Sequence, residues 1–171
     1  MVKKISVALI TVVFVVGLYW IYPNLPHEKV KRSVLSQYLA SQYEISNNLN
    51  NALELYHQGE EEKFIIWLAR AKEQTVVGIT LTGNGLAINY NNRIINSYSL
   101  YDFESRANHH ISTAFTNAVE GTLTNDDIID LEAFAETMNN FVSYIEHNEI
   151  IDGNSTRKIV REVEKIIEKT S

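Results

Sequence analysis

Apolar residues recur at three- and four-residue steps through most of the chain, the spacing of helices that each bury one side. His27 to His57 reads as one long helix. Its seam runs through Leu35, Tyr38, Gln42, Ile45, Leu49, Ala52 and Tyr56, a heptad row with a polar lapse at Gln42. Gln58-Gly59 interrupts it, and Glu60-Glu61-Glu62 opens a second helix, where carboxylates meet the positive end of the dipole. Phe64, Trp67, Leu68 and Ala71 form the inner side of that helix. A third runs from Ile94 to Val119 through Tyr98, Tyr101, Ala107, Ile111, Ala114, Phe115 and Ala118, and Gly121 ends it. Thr124 suits the N-cap of a fourth, with Asp126 and Asp127 in its first turn. Ile128, Leu131, Phe134, Met138, Phe141 and Ile145 line one side of it. After a turn at Asp152-Gly153-Asn154, Ser155 caps a last helix with Ile159, Val163, Ile166 and Ile167 inward.

Residues 75–90 admit two readings. Val76, Val77, Ile79, Thr80 and Leu81 are β-formers, and Gly83-Asn84-Gly85 could turn a small hairpin. An isolated hairpin needs a sheet to join, and no other strand is evident, so a helix end, a glycine break and a helix start are the expectation.

The first 24 residues differ in kind. Lys3 and Lys4 precede eighteen uncharged residues, Ile5 to Tyr22, which end on Tyr19, Trp20 and Tyr22. As a helix this run is about 27 Å long, close to a hydrocarbon core of roughly 30 Å. Aromatic rings at its far end suit the lipid–water interface. Bulky Leu18-Tyr-Trp-Ile-Tyr22 lacks the small residues of a cleavage site, so retention is expected over removal as a signal peptide. Pro23 and Pro26 place a kink between the span and the body. The basic leader places the N-terminus inside and the body outside the cytoplasm, although Lys29, Lys31 and Arg32 nearly balance it from the other flank.

The expected fold is therefore all-α: an antiparallel bundle of about four long helices plus a short C-terminal one, behind a single N-terminal transmembrane helix. Residues 1–24 form the anchor and 25–171 an extracytoplasmic bundle domain. Of 171 residues 45% are hydrophobic, and prolines and glycines are few, which excludes wholesale disorder. The chain has no cysteine, hence no disulfide, thiolate metal site or cysteine nucleophile. Asparagine pairs such as Asn47-Asn48, Asn50-Asn51 and Asn139-Asn140 read as compositional drift.

Candidate chemistry is thin. A di-iron bundle needs two Glu-x-x-His pairs and two further inward carboxylates; Glu54/His57 is a lone pair, at the end of its helix. His109 and His110 are adjacent, so on a helix their rings point about 100° apart and do not chelate one ion. His110 flanks the Ala107–Ile111–Ala114 stripe and reads as a rim or core histidine, with Asp102 and Glu104 nearby. Asn125-Asp126-Asp127 lacks the alternation and central glycine of a calcium loop. Gly83-Asn-Gly85 is neither a dinucleotide fingerprint nor a P-loop. No cofactor or metal is expected.

Charge is the uneven feature. From Ala107 to Thr156 there is no Lys or Arg, against nine Asp and Glu residues. Solubility accounts for this in the simplest way. The sharper reading makes Asp126, Asp127, Asp130, Glu132 and Glu136 a docking face for a basic protein. No basic patch of useful size exists, which disfavours nucleic acid. The functional expectation is a membrane-tethered, non-catalytic helical module of a bacterial-type cell envelope. It would contact the bilayer through residues 5–22 and bind another envelope protein. The alternatives are a ligand-sensing bundle acting through a partner, and an enzyme without a recognisable motif.

Overall fold

A computed structural model describes residues 26–82, 98–147 and 154–170. Five helices account for nearly all of them: α1 Pro26–His57, α2 Glu61–Thr82, α3 Tyr98–Val119, α4 Asn125–His147 and α5 Thr156–Thr170. No strand occurs among the described residues. No helix among them is long and apolar enough to cross a membrane; the expected anchor, residues 1–24, lies outside them.

Helix ends follow the local chemistry. Gly59 (φ 77°) and Gly121 (φ 70°) adopt the left-handed conformation that costs glycine least. After each, an amide reaches back five residues, Glu60 to the Leu55 carbonyl at 2.9 Å and Thr122 to that of Asn117 at 2.8 Å. These bonds satisfy carbonyls that the ending helix would leave bare. Thr124 and Asp127 cap α4 reciprocally: the Asp127 amide donates to Thr124 Oγ1 (3.2 Å) and the Thr124 amide to Asp127 Oδ2 (2.8 Å). Ser155 caps α5 through its backbone, its carbonyl accepting from the amides of Lys158 and Ile159.

Contacts between helices set their directions. Ser46 and Asn50 on α1 meet Asn139 on α4, while His57, farther along α1, meets Glu132, earlier on α4. Phe103 packs on Phe141, and His110 on Phe134. Thr75 of α2 bonds Asn108 of α3, and Lys72 lies over the Phe115 ring. Each pair is antiparallel, so α1 and α3 start at the same end. Backbones approach around the square α1–α2–α3–α4 and back to α1, with no diagonal approach. Helix α5 packs on α4 and reaches α1 and α3 but not α2. Thr156 donates to Glu28 (2.7 Å), and Arg32 to the Asn154 carbonyl (2.6 Å), tying α5 to the first turns of α1.

The core is continuous and runs through all five helices, from Leu35, Ile45 and Leu49 to Ile159, Val163 and Ile166. The α1 seam is buried as read, save Tyr56, which is half-buried at the edge. Helix α2 continues through its β-branched run to Thr82, because Thr75, Gly78 and Leu81 pack inward there at helical spacing. Residues 83–90 of the ambiguous stretch lie outside the described residues. In α3 the expected stripe is wrong at its start. Tyr98 and Tyr101 are exposed (82% and 42%), and the inner positions belong to Leu100, Phe103 and Glu104. A carboxylate in the true stripe disguises it, and two tyrosines three apart imitate it.

Candidate functional site

Three helices lose their apolar regularity in one layer of the core. On α1 the lapse is Gln42, one turn after Tyr38; on α3 it is Glu104; on α2 it is Gly78. Glu104 is fully buried and is the only charged residue type in the core among the described residues. Its carboxyl lies against Gly78 so closely that a Cβ there would overlap it. The α2 backbone thus leaves the room that Glu104 fills.

Tyr38 and Gln42 are the polar neighbours of this carboxyl. Neither completes a hydrogen bond to it of good geometry: Tyr38 Oη, Gln42 Oε1 and both Glu104 oxygens are buried without a partner. The Gln42 Nε2 group instead faces the Tyr38 carbonyl (3.4 Å) and Ser41 Oγ (3.2 Å). Burial raises the Glu104 pKa to about 8, against the opposing pull of Tyr38 and Gln42. The Tyr38 phenol is pushed well above its ordinary value, first by burial and then by the nearby Glu104 charge. An ionised carboxylate without partners is among the most costly groups to bury, so the neutral acid is the form that suits this layer.

The residues expected to form an acidic docking face are distributed differently. Asp126, Asp130 and Glu136 are exposed. Asp127 is engaged by the Thr124 cap and by Asn117 Nδ2 (3.1 Å), and Glu132 pairs with His57 Nε2 at 2.9 Å. At about 100° per residue, Asp126/Asp130 and Glu132/Glu136 lie roughly 120° apart around α4. Asp130 sits toward His110 on α3, whereas Glu132 sits toward α1. The five carboxylates form two flanks rather than one.

His110 is half-buried, stacked on Phe134 with ring centroids 5.3 Å apart. Burial pushes its pKa down, His109 and Arg106 add to this, and Asp130 opposes it. The His109 and His110 rings meet edge to face at 5.9 Å, a packing contact. Basic residues near the start of α1 are partly engaged: Lys31 pairs with Glu28 at 3.8 Å, and Arg32 holds Asn154. The asparagines have a structural use that composition did not suggest. Asn50 and Asn139 exchange amide hydrogen bonds (2.8 and 3.0 Å), and Ser46 donates to Asn139 (2.6 Å), clamping α1 to α4.

The cluster at Glu104 was missed in the sequence because each lapse looks minor alone. Its signal was present: Glu104 keeps the register of Ala107, Ile111, Ala114 and Ala118 at steps of three and four. Compared with family models, curated proteins and solved structures, the chain matches none.

Proposed function

We propose that the chain is a membrane-tethered, non-catalytic helical module of a bacterial-type cell envelope. Its bundle stands outside the cytoplasm and engages a basic protein. The observation that carries this reading is the junction at Pro26. The uncharged run 5–22 stops three residues short of α1, which continues for 32 residues as the longest helix of the bundle. Such a connection holds the bundle against the bilayer. Exposed Tyr98 and Tyr101 start α3 at the end from which α1 also starts, a position suited to the headgroup level.

On this reading the docking surface is the exposed Asp126/Asp130 flank of α4 rather than all five acidic residues. Asp126 and Asp130 present charge to solvent there and Glu136 does so on the other flank, while Asp127 and Glu132 are held by intramolecular partners. Exposed like charge steers a basic partner and adds little to the fold. The test is the full-length anchored protein carrying Asp126→Asn and Asp130→Asn, with Glu136→Gln on the other flank as the control. Recovery of a basic protein from native membranes should fall and lose its salt dependence, with Tm unchanged or slightly raised. Unchanged recovery removes the docking reading and leaves the charge to solubility. A sensing role acting through a partner is the second reading, favoured by the buried polar layer around Glu104.

A further inference from the structure

We propose that Tyr38, Gln42 and Glu104 form a binding site for a single proton, and that releasing it loosens the packing of the helices around this layer. The inference rests on hydrogen-bond accounting and does not depend on the anchor or on the docking surface. Four buried polar atoms lack partners, and all four belong to these three neighbouring side chains. Gln42 has its amide N–H groups directed to the Tyr38 carbonyl and Ser41 Oγ, and its Oε1 is left without a partner. Tyr38 brings one O–H. An ionised Glu104 brings acceptors alone, and one donor then faces a carboxylate and an amide oxygen together. Adding one proton changes the count. Tyr38 O–H donates to the carboxyl C=O, Glu104 O–H donates to Gln42 Oε1, and each of the three side chains gains a partner.

Among the described residues the surroundings offer no substitute for the proton. Tyr38, on α1, is the titratable group that faces Glu104. Helix α2 presents Gly78, Thr75 and Thr82 on its buried side. The buried sides of α4 and α5 carry no ionisable group among the described residues; Phe141, Ile145, Val163 and Ile166 are typical of them. The Arg106–Asp102 pair on α3 lies at the surface. An ionised Glu104 must therefore reach water. Water reaching it parts the helices that enclose this layer. The pKa near 8 places this opening just above neutral pH.

The sign follows from linkage. Folded Glu104 holds its proton up to about pH 8, whereas the unfolded chain releases it near the ordinary 4.5. The stabilisation is complete below 4.5 and is lost as pH rises through 8. In the full chain in detergent micelles, Tm should fall by about 5–10 °C more between pH 6 and 10 for wild type than for Glu104→Gln. Infrared spectra should show a protonated-carboxyl band at pH 7 that titrates away above pH 8 and is absent in Glu104→Gln. Should that variant fail to fold, titration of the band in wild type decides alone. Absence of the band at pH 7, or an equal loss of Tm in both proteins, overturns the proposal. So does stabilisation at pH 7 by sodium or calcium chloride in wild type but not in Glu104→Gln, which would make the occupant a metal cation.

Discussion

Gly78 and Glu104 are matched by volume: the hydrogen in place of a methyl on α2 leaves the space that the α3 carboxyl occupies. Gly78 lies inside a helix, where alanine is otherwise preferred by about 1 kcal/mol. Overpacking at the carboxyl works against that gain by about 1–3 kcal/mol. The displaced group is the end of a flexible side chain, but it has nowhere polar to go within the core. Gly78→Ala should therefore destabilise the wild-type chain by up to about 2 kcal/mol. In a Glu104→Ala background the same change should become neutral or stabilising. Denaturant unfolding of the four proteins measures the coupling. An equal effect of Gly78→Ala in both backgrounds would show that the two residues do not share the space.

Helices here are delimited by chemistry at their ends and joined by polar pairs along their flanks. The Thr124–Asp127 box is the clearest case, because it also has a pH signature. Hydrogen bonds from Thr124, and a weaker one from Asn117, hold Asp127 below its ordinary value of 3.8. Its contribution is present above that value and fades as pH falls through the depressed one. Thr124→Ala should cost about 1 kcal/mol at neutral pH. It should also lose less stability than wild type on further acidification, since the bond that acid would break is already gone. Thermal melts from pH 7 to pH 2 compare the two. Parallel acid limbs would mean that Asp127 draws nothing from the cap. The Asn50–Asn139 and Ser46–Asn139 bonds act differently, fixing the register of α1 on α4 where their apolar seams alone would tolerate a slip.

At the scale of the whole molecule, the five helices bury their stripes on one another in one continuous core. Of the exposed large apolar residues, Ile66, Val119, Ile129 and Tyr144 are scattered, while Val30, Val76, Val77, Tyr98 and Tyr101 lie toward the end where α1 and α3 begin. Helix α5 completes the enclosure, with Ile159, Val163, Ile166 and Ile167 buried and its start fastened to Glu28 and Arg32. Residues 27–171 should accordingly fold alone, soluble and strongly helical by far-ultraviolet circular dichroism. A spectrum dominated by sheet, or a body soluble only in detergent, would show that the core depends on the first 26 residues.

Much of this architecture was legible from local pattern. Periodicity marked all five helices, glycines at 59 and 121 marked two ends, and Thr124 with Asp127 marked a start, because such signals act within a few residues. The α1 row from Leu35 to Ala52 was read correctly for the same reason. Local pattern could not rank Tyr98 and Tyr101 against Leu100 and Phe103, since each pair fits a helical stripe and only the neighbours decide which side is enclosed. Nor could it show that five acidic residues on α4 divide between two flanks, two of them held by Thr124 and His57. The Glu104 layer lay furthest from view. Gln42, Gly78 and Glu104 are unremarkable apart, spread over 62 positions of the chain. Tertiary packing brings them into one layer, and only there does the balance of donors and acceptors, a property of assembled space, acquire a meaning.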